Sequence, residues 1–225
     1  MNKIVKNSEL FPRGHSAADS LIYSLTYPWE VLPHIKNFII EYGKALDMKK
    51  YYSPSENVWI AKSAKISPLA KISPPCVIGE DTEVRQCAFI RGAALVGNSC
   101  VIGNSTELKN CIISDGVQVP HFNYIGDSIL GYKSHMGAGA VTSNVKSDKT
   151  PISVDTEEGR IETGLLKMGA MLGGFVEVGC NSVLNPGTIV GPYSNVYPLS
   201  SVRGTVPPYS IYKSAENIVE KEERR

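Results

Sequence analysis

Phe and Trp are scarce in this chain: 225 residues include five Phe and two Trp, beside twenty Gly. Phe and Trp are the usual fillers of wide cores, so the shortage points to a narrow one. Cysteine is sparse too, with five residues and no Cys-x-x-Cys pair. An odd count without paired spacing argues against both a disulfide framework and a structural zinc site. Neither sign of charge prevails, the formal net charge being +1 and the pI about 7.6. That balance gives no reason to expect a nucleic acid or another polyanion as partner. No apolar run approaches the roughly 18 residues of a membrane span. The N-terminal MNKIVKNSELFPRGH also lacks the apolar centre of a signal peptide. A reducing, cytoplasmic location without a membrane partner is the simplest expectation.

What the chain does have is a period. From Ile60 an aliphatic residue recurs every sixth position: Ile60, Ile66, Ile72, Ile78, Val84, Ile90, Val96, Ile102, Leu108. Four positions after each of the first eight stands a small residue, from Ala64 and Ala70 through Cys76, Thr82, Ala88, Ala94 and Cys100 to Thr106. The step shortens to five at Leu108–Ile113 and again at Ile125–Leu130. It reaches Met136, then resumes at Leu172 and runs through Val178, Leu184, Val190 and Val196 to Val202. Period six fits neither a helix nor simple strand alternation; it is the hexapeptide repeat of a parallel β-helix. Each hexapeptide supplies one short strand and a turn, and three complete a triangular coil of about 18 residues. Cys76 and Cys100 fall in the small inward slot, so packing accounts for them; Cys87, Cys111 and Cys180 fall outside it.

Three segments stand apart from this wall. Residues 1–57 carry helical signals: Asp19 as the cap of a short turn, Pro28 as a first helical residue, and Trp29, Leu32, Ile35, Phe38 and Ile39 along one face. This leader is expected to cover an open end of the β-helix, whose unpaired strand would otherwise invite association. The β-helix itself is expected over 58–207. Residues 142–171 are polar and off-period, and PISVDTEEGRIETG within them reads as a hairpin turning at Glu157-Glu158-Gly159. A long loop thrown out of a regular coil is usually functional or used in assembly. Residues 208–225 form a tail, of which SAENIVEKEERR reads as a short charged helix.

Prisms of this kind resemble a large family of acyltransferases, and γ-type carbonic anhydrases share the scaffold, so residues at the site must decide. A zinc hydratase needs three converging histidines. Only His121 and His135 fall within the repeat, with His15 and His34 in the leader, so no metal is expected.

Two motifs are more specific: VPHFNYIGD (119–127) and GAGAVTSN (137–144). They resemble the acetyltransferase domain of bifunctional glucosamine-1-phosphate acetyltransferase/N-acetylglucosamine-1-phosphate uridylyltransferases, closest to the archaeal-type sugar-1-phosphate nucleotidylyltransferases. The resemblance continues through GRIETGLLKMGAMLGG (159–174) and NPGTIVGPYSNVYP (185–198), and YPWEVL (27–32) resembles the linker helix of those enzymes. It implies an all-β fold, a left-handed parallel β-helix with an N-terminal helical segment and a short C-terminal helix. It also implies an acetyl-CoA-dependent transfer to the amine of glucosamine or galactosamine 1-phosphate, in nucleotide-sugar (UDP-N-acetylhexosamine) synthesis. The Gly-rich nucleotidyl-transfer loop and its half of the enzyme have no counterpart in the 57 leader residues, so no uridylyl transfer is expected.

Carried over residue by residue, the resemblance makes His121 the general base that takes the amine proton; histidine changes charge near neutral pH, which suits that task. Arg91 and Lys109 match phosphate-binding cations, one a fork of donors and the other a point charge. Tyr124 and Asn144 match acceptor-binding residues, and Lys149 a further lysine on the loop. His135 stands where bacterial members carry a sugar-binding Asn, which implies a different amino sugar or pose. Gly139 and Ala138 match the segment along the pantetheine arm, with the Ala138 N–H polarising the thioester carbonyl. Glu107 is expected to orient His121 from a neighbouring coil. The implied assembly is a homotrimer with pockets between subunits, the loop 142–171 completing them and a flat aliphatic face making the contact. Two alternatives stay open: an acyltransferase with another acceptor, and a non-catalytic trimeric module partnering a separate nucleotidylyltransferase.

Overall fold

The structure, a computed structural model, describes residues 3–157 and 159–222. Short parallel strands stack in register to make three walls. Wall one carries the outward column Trp59, Val77, Leu95, Ile112, Ile129, Met171, Ile189. Wall two presents Lys65, Glu83, Val101, Gln118, His135, Glu177, Asn195 and Ile211. Wall three presents Lys71, Phe89, Glu107, Tyr124, Val141, Val183 and Ser201. The period-six aliphatics point inward from each wall in turn, and Ile78, Ile90, Ile102, Leu108, Ile113 and Ile125 are fully buried in one axial core. Each such side chain contributes about 1.5–3 kcal/mol by leaving water.

The two five-residue steps have a structural cause. Strands Glu107–Ile113 and Tyr124–Leu130 run continuously from wall three into wall one, without the extra corner residue of other coils. Cys111 therefore pairs with Ala94 and occupies the same buried slot as Cys76, which corrects its reading as a residue outside the slot. The shortened step hides this in the sequence. Asn110 and Asp127 sit at these bends with positive φ, 47° and 49°, a conformation that Asn and Asp tolerate better than other side chains.

The leader does not cap an end. Helices Pro28–Val31 and Ile35–Lys44, joined by the 3₁₀ turn Leu32–His34, lie along wall one. Trp29, Leu32, Ile35 and Ile39 bury against Trp59, Val77, Leu95 and Ile112. Pro28 is the first helical residue, as the sequence predicts. Asp19 is the first residue of helix Asp19–Ile22 rather than its cap. The reason for the misplaced leader is the outward column itself: an apolar wall needs cover more than a short end strand does. The end that precedes the first coil is closed instead by an antiparallel pair, Tyr51–Ser55 with Val58–Ala61.

The loop folds back as well. Strands Ser153–Thr156 and Gly159–Glu162 form the expected hairpin, whose turn residue Glu158 lies outside the described residues. Ile152, Val154 and Met168 are buried against Met171 and Ile189, so the loop extends the cover of wall one. The tail is not helical: Ser210–Ser214 and Asn217–Glu220 make an antiparallel pair that closes the C-terminal end, and 223–225 lie outside the described residues. Ile211 pairs with Val219 and Tyr212 with Ile218 across the two strands, and Tyr212 seals the core. The tail's charged residues suggest a helix, but pairing with Ser210–Ser214 holds Asn217–Glu220 extended. No helix among the described residues is long and apolar enough to cross a membrane.

Candidate active site

Wall three and its two corners gather most of the predicted site residues. His121 ends the strand Gln118–His121 at the corner between walls two and three, and is exposed. Tyr124 opens the wall-three strand three residues later. Across that wall, at the corner with wall one, stand Arg91, Lys109 and Asn144 from three different coils. Tyr124 folds back over Gly126, where any Cβ would collide with the phenol ring. Burial, with Asp127 and Glu107 nearby, pushes the Tyr124 phenol pKa up, while Arg91 and a hydrogen bond with Asn144 oppose the shift. The phenol therefore keeps its proton as a donor near neutral pH.

Two buried residues that sequence reasoning missed organise these groups. Asp127 accepts from Lys109 Nζ at 3.3 Å, Asn110 Nδ2 at 2.8 Å and Asn144 Nδ2 at 2.5 Å. Asn123 ties the His121 turn to the Gly-rich turn of the next coil. Its Oδ1 accepts from the His121 N–H at 3.1 Å, and its Nδ2 donates to the carbonyls of Gly137 at 2.8 Å and Ala140 at 3.0 Å. The Gly139 N–H closes the junction by donating to the His121 carbonyl at 3.0 Å. A signal for Asn123 does exist in the sequence: it is the one amide among Ala88, Thr106, Ala140, Ser182 and Ser200 in its slot.

The Gly137–Ala140 turn lies at the same corner as His121. Gly139 has φ +73°, and a Cβ there would strike Asn181; one on Gly137 would meet Cys180 N at 2.8 Å. Close stacking of coils thus requires both glycines. Gly137, Gly139 and Ala140 donate their N–H groups to carbonyls, while the N–H of half-exposed Ala138 has no acceptor among the described residues. That leaves one backbone donor without an acceptor among the described residues in the turn joined to His121.

The remaining residues are placed elsewhere. His135 stands on wall two, its Nδ1 2.7 Å from Glu177 Oε2, and is not brought to the Asp127 cluster. Lys149 is exposed on the loop, its N–H bonded to the Lys146 carbonyl. Glu107 does not reach for His121: it pairs with Arg91, Nη1 to Oε1 at 3.0 Å, because its column on wall three runs through Phe89 and Tyr124. The loop root is anchored at the cluster, since Met168 N–H donates to Asn144 O and Gly169 N–H to Asp127 O. A groove of about 980 Å³ lined by Tyr193, Tyr197, Tyr209 and Lys221 lies farther along wall two and shares none of these residues.

A parallel hexapeptide β-helix with a histidine turn clamped to a glycine turn is the class that this geometry defines. In sequence the chain is a relative of bifunctional nucleotidylyltransferase/acetyltransferases. It is 36% identical over 92 residues to the bifunctional sugar-1-phosphate nucleotidylyltransferase/acetyltransferase of Sulfurisphaera tokodaii, a match covering 41% of this chain and 23% of that protein. It is 30% identical over 159 residues to the bifunctional protein GlmU of Methanococcus vannielii, covering 70% of this chain and 34% of that protein. The matches lie in the acetyltransferase part, and the chain spans less than half the length of these curated relatives. No family model matches the chain. Among solved structures, it is similar to perosamine N-acetyltransferase from Caulobacter crescentus, a structure with CoA and GDP-perosamine. The TM-score is 0.36 at 17% identity, covering 72% of this chain and 57% of the other.

Proposed function

We propose that this chain is an acetyl-CoA-dependent N-acetyltransferase whose acceptor is an amino-sugar 1-phosphate, glucosamine or galactosamine 1-phosphate. The observation that carries this reading is the junction of the His121 turn with the Gly137–Ala140 turn through Asn123, beside a wall bearing Arg91, Lys109, Tyr124 and Asn144. The names of the sequence relatives agree with it.

The reaction follows from those positions. The sugar nitrogen attacks as the neutral amine, and His121, as general base, takes the proton that the nitrogen gives up on becoming an amide. The nitrogen lone pair adds to the thioester carbonyl, whose oxygen becomes an oxyanion facing the free Ala138 N–H. Collapse breaks the carbon–sulfur bond, and CoA leaves as thiolate, which the His121 proton can neutralise. Lys109 and Arg91 hold the acceptor's phosphate, while Tyr124 and Asn144 bond its hydroxyls. His135 and Lys149 join the acceptor pocket only from a neighbouring copy or after loop movement. Phe89 and Val183 are exposed on wall three, so a second copy seated there would roof the site. A homotrimer with pockets between copies fits that need, and the acetylated product suits a separate nucleotidylyltransferase.

One observation favours a second reading, an acceptor without phosphate: both cations already face carboxylates, Glu107 and Asp127. Thiol release from acetyl-CoA tests the two together, with glucosamine 1-phosphate, galactosamine 1-phosphate and the unphosphorylated sugars as acceptors. His121→Ala is expected to lower kcat by about 10²–10⁴-fold. Release that needs no acceptor, or survives in the variant, would overturn the assigned base. Absence of acetyl-CoA binding in the wild type would leave a non-catalytic module.

A further inference from the structure

The two cation–carboxylate pairs on wall three are built differently. Arg91 and Glu107 are open to solvent, their side chains 53% and 31% exposed. Asp127 is 7% exposed and its partner Lys109 26%. A buried carboxylate must have its oxygens satisfied, and Asp127 does so by drawing donors from separate segments. Lys109 and Asn110 come from the preceding coil, and Asn144 from the root of the loop. The Asp127 carbonyl also receives the Gly169 N–H, where the loop returns. Lys109 and Asn144, far apart in sequence, are thereby held on one anchor at the corner of walls three and one.

We propose that Asp127 is a positioning residue that fixes Lys109 and Asn144 as one preformed clamp for the acceptor, Lys109 toward its phosphate and Asn144 toward its hydroxyls. This deepens the function proposed above and rests on it. An ammonium has three donors; Asp127 takes one from Lys109 and leaves the others for phosphate. A lysine side chain has many rotamers, and freezing them on ligand binding weakens that binding. Holding Lys109 in the folded protein moves that loss to folding.

The test compares acceptor and donor kinetics of the full chain in the wild type, Asp127→Asn, Lys109→Met and the double variant. Each single change is expected to raise the KM for the amino-sugar 1-phosphate about tenfold, as loss of a charge-assisted bond does. The acetyl-CoA KM should stay put, and kcat should change by less than about threefold. The double variant should lose clearly less than the product of the two single losses, because Asp127 acts in part through that lysine. Equal losses toward donor and acceptor would mark Asp127 as a folding residue only, and compounding losses would make it independent of Lys109; either overturns the proposal. Should Asp127→Asn fail to fold, Lys109→Met and Asn144→Ala replace it: acceptor KM effects that simply multiply would show no shared anchor and overturn it. A wild type without acceptor-dependent thiol release overturns the proposed function itself, whereas an active wild type with unresponsive variants overturns only the role of Asp127.

Discussion

At the scale of single residues, the five cysteines divide by position rather than by type. Cys76, Cys100 and Cys111 line the axial core and are fully or almost fully buried. Burial pushes the thiol pKa up to about 12 at Cys76 and Cys100, and raises it at Cys111 too. Reactivity belongs to the thiolate, so these three are inert near neutral pH by chemistry as well as by access. Cys87 and Cys180 are exposed at corners. A thiol reagent at neutral pH is expected to modify Cys87 and Cys180 in the folded protein, and the other three only after denaturation. Mass spectrometry of the labelled peptides checks this; early labelling of Cys111 would mean that the bend between walls three and one opens.

Single residues also mark where the sequence could be read and where it could not. His121, Tyr124 and Asn144 could be singled out from two motifs and Lys109 from the same resemblance, and the structure places them on wall three and its two corners. Asp127 and Asn123 could not, although both lie inside one of those motifs. Their roles depend on which residues stack on them a coil away, seventeen positions along the chain for Asp127 and Asn110, and a linear pattern does not display stacking. Glu107 was misassigned for the same reason, since its neighbours on the wall are Phe89 and Tyr124.

At the scale of elements, period six was enough to predict the coils, because every inward aliphatic has one face and one role. The leader was legible as helix from Pro28 and the spacing of Trp29, Leu32, Ile35 and Ile39. Its docking site was not, since the column from Trp59 to Ile189 is assembled from residues spaced by whole coils. Gly43 is a close point of that docking, where a Cβ would collide with the buried Trp59 indole. Gly43→Ala thus sets two effects against each other. Alanine favours the helix by about 1 kcal/mol over glycine, while overpacking a closed contact costs roughly 1–3 kcal/mol. The indole is wedged between helix and wall and has little room to yield, so the clash should win. Gly43→Ala is expected to lower the Tm, and thermal unfolding followed by circular dichroism measures it. A raised Tm would mean that the helix sits farther from wall one.

At the scale of the whole molecule, the aliphatic outer face expected to join subunits is covered by this chain's own leader and loop. The two covers meet, as the Lys3 N–H donates to Glu157 Oε1 at 3.0 Å. Wall one is thus an internal surface, and the proposed homotrimer would have to use walls two and three, where the site residues stand. Removal of residues 1–49 separates this arrangement from an end cap. The antiparallel pair Tyr51–Ser55 with Val58–Ala61 would still close the first coil, so the coil end would stay blunted. Wall one, however, would lose its cover over Trp59, Val77, Leu95 and Ile112, four large side chains now buried. A continuous apolar patch of more than a few hundred Å² drives association. The shortened chain is therefore expected to bind a hydrophobic dye strongly and to elute as large, heterogeneous species, with light scattering on a sizing column as the measurement. Adding back a peptide of residues 1–49 should reverse both effects, because the helices would dock again on the same column. A shortened chain that stays well dispersed and binds no dye would show that wall one needs no cover, and the leader would then have to be explained by the site instead.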